Sequence, residues 1–407
     1  MSAIDPEPLI NSPAGLRQRA ASRLALAAGD MVRRLHSDAG GAAEQAEILG
    51  QIAAALWRAN ESGDVCVPLT ELADARVGAA WQASPVVATL AAGETPDNPV
   101  PLVVQGGLLY SYRHWQAEHT IAAGLVSLVH RPNAWPGDTL PAVPAGLQAE
   151  QKRAWQVACE HNLLILSGGP GTGKTYTVGA IVTALRQHHP ALRVALAAPT
   201  GKAAARLSQA LGADGMSVAN LTSATLHRLL GYGPDGSFVH GDNNPLPFDL
   251  IVVDECSMVD AMMAAQLVAA IGDRTRLILA GDKDQLASVQ AGSFFGDCVG
   301  DQSALADCTV VLKKNFRQSD APQIVAWADS VRDGDLLEED LPAAGDQVLV
   351  HDVQGPSAFD LIVAGAIQAY APLVTEAASN PAAPTVHELL GRFNQCRVLA
   401  SLRVGPY

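Results

Sequence analysis

The segment Gly168-Gly169-Pro170-Gly171-Thr172-Gly173-Lys174-Thr175 constrains this chain more than any other. It fits the pattern G-x-x-x-x-G-K-[ST] and stands between a continuous apolar run, Leu163–Ser167, and a helical pattern over Thr175–Arg186. In that setting the glycines let backbone N–H groups turn inward around phosphate oxygens, at the positive end of the following helix. Lys174 is placed to reach the outer phosphates, and Thr175 to ligate a divalent cation. A merely glycine-rich turn with an incidental lysine has no need of a strand before it and a helix after it.

The residues that follow repeat one theme, buried strands alternating with helices. Val194–Ala198 reads as a strand and Gly201–Leu211 as a helix, and Leu250–Asp254 and Leu277–Ala280 read as two more strands. Such runs of Val, Ile and Leu mean a parallel sheet covered on both faces. Leu250–Asp254 delivers Asp254 and Glu255 to the carboxyl edge of that sheet, where open α/β sheets bind their ligands. Alone, an Asp-Glu pair at a strand end is commonly a solvated turn. Behind a phosphate loop, Asp254 reads as a Mg²⁺ ligand and Glu255 as the group that orients or deprotonates an attacking water. Gln285, after the strand Leu277–Ala280, is either a sensor of the γ-phosphate or part of a polar loop. Arg317, in Asn315-Phe316-Arg317, is a candidate arginine finger, although an arginine after a strand is ordinarily a surface residue.

Ahead of this pattern, residues 1–131 are rich in Ala, Leu and Arg. Leu24, Leu26, Met31, Val32 and Leu35, then Ile48, Ile52, Ala55 and Leu56, recur at helical spacing, and Val65–Leu69 and Pro101–Tyr110 are strand-like. The stretch Pro132–Gly146 holds four prolines and two glycines and reads as a linker. Domains are thus expected at 1–131, 147–335 and 336–407. An acidic patch (Asp329 to Asp340) runs across the boundary between the last two, and the last carries a Pro/Ala-rich loop at Ala371–Pro384 and a strand at Arg397–Leu402. The expected class is α/β, a P-loop (RecA-like) parallel sheet behind a mainly helical N-terminal domain.

With 27 basic and 41 acidic residues the net charge is −14, which excludes gripping nucleic acid by bulk electrostatics. Any such contact must rest on a few placed groups or on a partner's surface. The six cysteines form no C-x-x-C pair, so neither a zinc site nor a disulfide framework is indicated. No apolar run approaches the roughly 18–20 residues of a membrane span, and the start is no signal peptide. The expected compartment is cytoplasm.

In order and spacing the motifs resemble those of superfamily-1 DNA helicases of the RecD type, the alpha subunits of exodeoxyribonuclease V. Gln151 stands where that family reads adenine, and Ala198-Pro199-Thr200-Gly201-Lys202-Ala203-Ala204 matches its DNA-contacting segment. Thr225-Leu226-His227-Arg228-Leu229-Leu230-Gly231 resembles a RecD signature. Asp254-Glu255-Cys256-Ser257-Met258, Gly281-Asp282-Lys283-Asp284-Gln285-Leu286 and Asn315-Phe316-Arg317 follow with the family's spacing. Two N-terminal elements, Gly63–Leu69 and Leu108-Leu109-Tyr110 with Arg113 and Trp115, resemble RecD rather than other helicases.

The resemblance implies that ATP is held by Gln151 and by Gly168, Gly169, Pro170, Gly171, Thr172, Gly173, Lys174, Thr175 and Tyr176, with Mg²⁺ on Thr175 and Asp254. It implies catalytic roles for Lys174, Glu255, Gln285 and Arg317, and DNA contacts by Thr200, Gly201, Lys202, Thr225, His227 and Arg228. It also implies RecB- and RecC-like partner subunits that meet the N-terminal domain. Phe393–Ala400 with Arg403 and Gly405 looks like the entry to a second RecA-like domain, so the chain is expected to be a fragment of a two-domain motor. Three other readings stay open: a stand-alone RecD-like helicase, a conjugative relaxase-helicase, and an ATP-binding assembly subunit without turnover. The N-terminal domain shows neither the tyrosine nucleophile nor the His cluster that a relaxase would need.

Overall fold

The computed structural model describes residues 22–72, 81–82, 84–133, 141–212, 221–285, 288, 290–300, 303–316, 322–334, 356–379, 388, 391 and 393. The chain divides into two units, Met1–Asp320 and Ala321–Tyr407.

The first unit begins with two helices, Arg23–Asp38 and Ala43–Glu61. The apolar face expected for the first of them is not the one that packs. Leu24, Leu26, Met31 and Leu35 are exposed, while Ala25, Ala28, Gly29, Val32 and His36 are buried. The cause is close approach: a methyl group on Gly29 would lie 2.5 Å from the Gly50 carbonyl oxygen. A leucine cannot enter so narrow an interface, so the small residues take the inner face.

Beside these helices lies a small sheet of β1 (Cys66–Pro68), β2 (Val87–Leu90), β3 (Leu102–Gln105) and β4 (Leu108–Ser111). Its order is β1-β4-β3-β2, with β2 and β3 parallel and the other pairs antiparallel. The single strand expected at Pro101–Tyr110 is therefore a hairpin. Gly106 and Gly107, at φ 60° and 80°, make the two-residue turn whose twist suits a hairpin, and they pair Gln105 with Leu108.

The long helix Tyr112–His130 then runs to a large sheet of β5 (Leu163–Gly168), β6 (Val194–Ala198), β7 (Leu221–Thr225), β8 (Leu250–Val253), β9 (Arg276–Gly281) and β10 (Thr309–Leu312). The order is β10-β5-β9-β8-β6-β7, and every pairing is parallel. Alternate residues feed two cores. Leu163, Ile165, Ile251, Val253, Leu277 and Leu279 point to one face, where Leu125 and Leu128 of the helix Tyr112–His130 join them. Leu164, Leu166, Leu250, Val252 and Ile278 point to the other, under the helices Ala149–Glu160 and Lys174–His188. Full burial of each such side chain is worth about 1.5–3 kcal/mol. This is the α/β parallel sheet, covered on both faces, that the alternation of runs predicted.

Three strands escaped the sequence reading, β2 in the small sheet and β7 and β10 in the large one, and all are edges. β7 is Leu-Thr-Ser-Ala-Thr and half exposed, so it lacks the apolar run of a central strand. β10, Thr-Val-Val-Leu, is only four residues long.

In the second unit the helices Pro322–Asp333 and Pro356–Ser379 are described. The loop expected from Ala371 is helical as far as Ser379, with Pro372 inside the helix. Alanines on both sides of the proline favour helix strongly enough to carry the chain past one missing N–H. Arg332 pairs with Asp329 at 2.8 Å and Asp333 at 2.9 Å, so part of the acidic patch is locally neutralised. The strand expected at Arg397–Leu402 lies outside the described residues.

Candidate nucleotide site

The loop after β5 has the conformation its glycines allow. Gly171 and Gly173 have φ of 82° and 86°, a region that residues with a Cβ rarely enter. A methyl group on Gly168 would meet Thr172 Oγ1 at 2.6 Å and the Leu312 carbonyl oxygen at 2.9 Å. The loop is braced from within and from β10's end. Thr172 Oγ1 donates to the Gly169 carbonyl (2.8 Å), Asn315 Nδ2 to that of Pro170 (3.0 Å), and the Phe316 N–H to that of Gly171 (2.8 Å). Lys174 Nζ donates to the carbonyls of Gly168 and, at 3.2 Å, Gly169. The ammonium is thus held over the mouth of the loop.

β8 lies two strands from β5, with β9 between them, and brings Asp254 and Glu255 to the same edge. The Asp254 N–H donates to the Ala197 carbonyl, and its Oδ1 accepts the Glu255 N–H, both at 2.9 Å. Burial pushes the Asp254 carboxyl up and the Glu255 charge adds to this, while the Glu255 N–H and the Lys174 charge oppose it. A desolvated carboxylate facing a threonine hydroxyl is a hard oxygen donor set of the kind Mg²⁺ takes. Among the described residues Glu255 is the one non-glycine with positive φ, at 55°. Strain of this kind costs of order 1–3 kcal/mol and marks sites where position matters more than stability.

These groups face one cleft of about 860 Å³. The phosphate loop from Gly169 to Tyr176 (Thr172 apart) lines one side, with Asp254, Glu255 and Gln285 beyond it. Tyr176 is exposed at the rim, and Gln285 is exposed. Gln151 is buried beneath the loop. Its Oε1 accepts the Gln148 N–H at 3.0 Å in a capping box, and its Nε2 would come 2.9 Å from a methyl group on Gly173. The amide is therefore fixed against the phosphate loop by the helix it caps.

The residues expected to meet DNA separate into two groups. Thr200 and Lys202 line the cleft itself. Thr225, His227 and Arg228 sit at the end of β7. Thr225 caps the helix Leu226–Leu230 by accepting the Arg228 N–H at 3.4 Å, and His227 lies edge-on to Tyr232 at 5.3 Å. Gly201 joins the groups, since a methyl group there would stand 4.0 Å from Thr225 Cγ2. Arg317 lies outside the described residues.

Four cleft residues carried no role in the sequence reading, Ala203, Arg206, Met258 and Phe316. Phe316 presents its ring beside Gly173, and Arg206 enters from the helix Gly201–Gly212. Arg206 had a signal, four residues after Lys202 and so on the same helical face.

A parallel sheet with this loop at its carboxyl edge and an acidic pair two strands away defines a P-loop NTPase, and the fold implies use of a nucleotide, ATP. Residues 146–355 match the family described as AAA domain, and the chain belongs to that family. Within it the sequence is RecD-like. It is 40% identical over 300 residues to the RecBCD enzyme subunit RecD of Mycolicibacterium smegmatis, covering 68% of this chain and 53% of that protein. With the RecBCD enzyme subunit RecD of Mycobacterium tuberculosis it shares 36% identity over 346 residues, 78% of this chain and 58% of that one. The ATP-dependent RecD2 DNA helicase of Deinococcus radiodurans is 34% identical over 275 residues, 63% of this chain and 36% of that protein. The chain thus spans 53% and 58% of the two mycobacterial relatives.

Proposed function

We propose that the protein is an ATP-driven 5′-to-3′ DNA helicase subunit of a RecBCD-type exodeoxyribonuclease V, working in the cytoplasm with RecB- and RecC-like partners in double-strand-break repair and homologous recombination. One observation carries this reading: the phosphate loop and the Asp254–Glu255 pair face each other across a single cleft in a RecD-like sequence. Among the described residues no helix is long and apolar enough to cross a membrane.

In this reading the loop N–H groups of Gly169, Gly171, Thr172 and Gly173 cradle the phosphates, and Lys174 leaves its two carbonyl partners for the outer phosphate oxygens. Thr175 and Asp254 would hold Mg²⁺, which when bound draws charge off the phosphates. Glu255 orients the attacking water and takes its proton. Gln151 holds adenine against the loop, and Gln285 and Arg317 couple hydrolysis to domain closure. Thr200, Gly201 and Lys202, with Thr225, His227 and Arg228, supply DNA contacts. Contacts so few fit a chain of net charge −14, which needs placed groups and partner surfaces rather than a basic face.

The test is Lys174→Gln in the complete complex. DNA-stimulated ATPase activity is expected to vanish, and unchanged turnover would end the assignment. Assays with and without RecB- and RecC-like subunits separate a complex-bound motor from a stand-alone RecD2-like enzyme.

A further inference from the structure

The charged side chains lining the cleft are Lys174, Lys202, Arg206, Asp254 and Glu255, three cations and two carboxylates in a chain of net charge −14. Lys174 belongs to the phosphate loop. Lys202 and Arg206 stand on the far wall, one turn apart on the helix Gly201–Gly212, and both are exposed. Neither makes an ion pair or side-chain hydrogen bond among the described residues, although Asp254 and Glu255 line the same cleft. Elsewhere arginines on the surface do find carboxylates. Arg193 grips Asp249 at 2.7 Å, and Arg332 holds two aspartates.

A nucleoside triphosphate keeps net negative charge after binding a divalent cation, and Asp254 and Glu255 add more. Lys174 alone does not balance that sum. Held by the loop at its inner phosphates, the nucleotide turns its terminal phosphate toward Asp254 and Glu255, and so toward the far wall of the cleft. A guanidinium there would make charge-assisted, bidentate bonds to its oxygens.

We infer that Arg206 is a terminal-phosphate contact that lets this cleft tell a nucleoside triphosphate from a diphosphate. The inference rests on the nucleotide reading above and deepens it. Arg206 is a binding residue in this role, since it touches the transferred phosphoryl group and not the base or the α-phosphate.

Equilibrium binding of ATPγS and of ADP to the full-length protein, each with Mg²⁺, tests it without requiring turnover. Arg206→Ala is expected to weaken ATPγS binding about tenfold, the scale of one charge-assisted hydrogen bond, and to leave ADP binding unchanged. Arg206→Lys should recover part of the loss. Equal losses for both nucleotides, or none for either, would overturn the inference. So would a loss confined to single-stranded DNA affinity, which would assign Arg206 to the DNA side. Lys174→Ala, by contrast, should weaken both nucleotides. A wild-type protein that binds neither would bring down the nucleotide reading itself, an outcome distinct from any result at Arg206. Because Arg206 is exposed, thermal melting of the variant should match the wild type.

Discussion

The two edges of the large sheet treat polar groups in opposite ways. At the amino edge most polar groups are bound to partners. Asn162 Nδ2 donates to the carbonyls of Arg131 and Pro132, each at 3.1 Å, and the buried guanidinium of Arg276 donates to the Ala158 carbonyl and to Asn133 Oδ1. Arg193 closes on Asp249 there, and its guanidinium holds that carboxyl below the usual range. At the carboxyl edge burial pushes the Asp254 carboxyl up, Glu255 is strained, and Lys202 and Arg206 line a cleft. One edge is finished by the chain itself, and the other is left for a ligand to finish. Buried polar groups that satisfy one another serve stability, whereas groups held unsatisfied at stability's expense mark function.

The contrast can be broken by substitution. The largest effect is expected at the open edge. Glu255→Gln should cut ATP turnover by roughly 10²–10⁴-fold while ATPγS affinity and melting temperature hold, as measured by steady-state ATPase and calorimetry. A turnover within a few-fold of wild type would remove Glu255 from the chemistry.

Closed sites should behave in reverse, changing stability and not nucleotide affinity. His114 is buried against Ser111 Oγ at 3.0 Å, and burial, with the Arg113 charge, lowers its pKa from 6.5 to about 4. A base whose folded pKa is depressed is more easily protonated in the unfolded chain. Its contribution is therefore complete above about 6.5 and is lost as pH falls toward about 4, by up to about 3 kcal/mol. Chemical denaturation across that window should show the slope, and His114→Asn should flatten it. A slope that survives the substitution would belong to another group.

Arg276→Met carries the smallest expected effect, about 1–3 kcal/mol from stranding the Ala158 carbonyl and Asn133, with no change in ATPγS binding. Loss of nucleotide affinity at this distance would show that the edges are coupled rather than separate.

Much of this architecture was legible in the sequence because it is local. The central strands announced themselves as unbroken apolar runs, and the phosphate loop as a glycine pattern between a strand and a helix. What failed to show depended on neighbours. Leu24 and Leu35 have helical spacing but face outward, because Gly29 and Gly50 bring two helices too close for leucine. β7 is polar because an edge strand need bury little. Pro101–Tyr110 hid a hairpin in the Gly106–Gly107 turn. In the site, Lys174, Thr175, Asp254 and Glu255 were readable from their motifs, but Phe316 and Arg206 gained meaning only when seen lining the cleft.

By itself the sequence determined the conformation of the phosphate loop, since Gly171 and Gly173 at positive φ and the flanking strand and helix are properties of adjacent residues. Tertiary structure alone decided which distant residues meet it. The order β5-β9-β8-β6 carries the carboxyl ends of non-consecutive strands to one edge, so that Asp254 and Arg206 share a cleft with Lys174. Local periodicity specifies which face of a strand is buried; it cannot specify which strand lies beside it, because that choice is made by packing across the whole sheet.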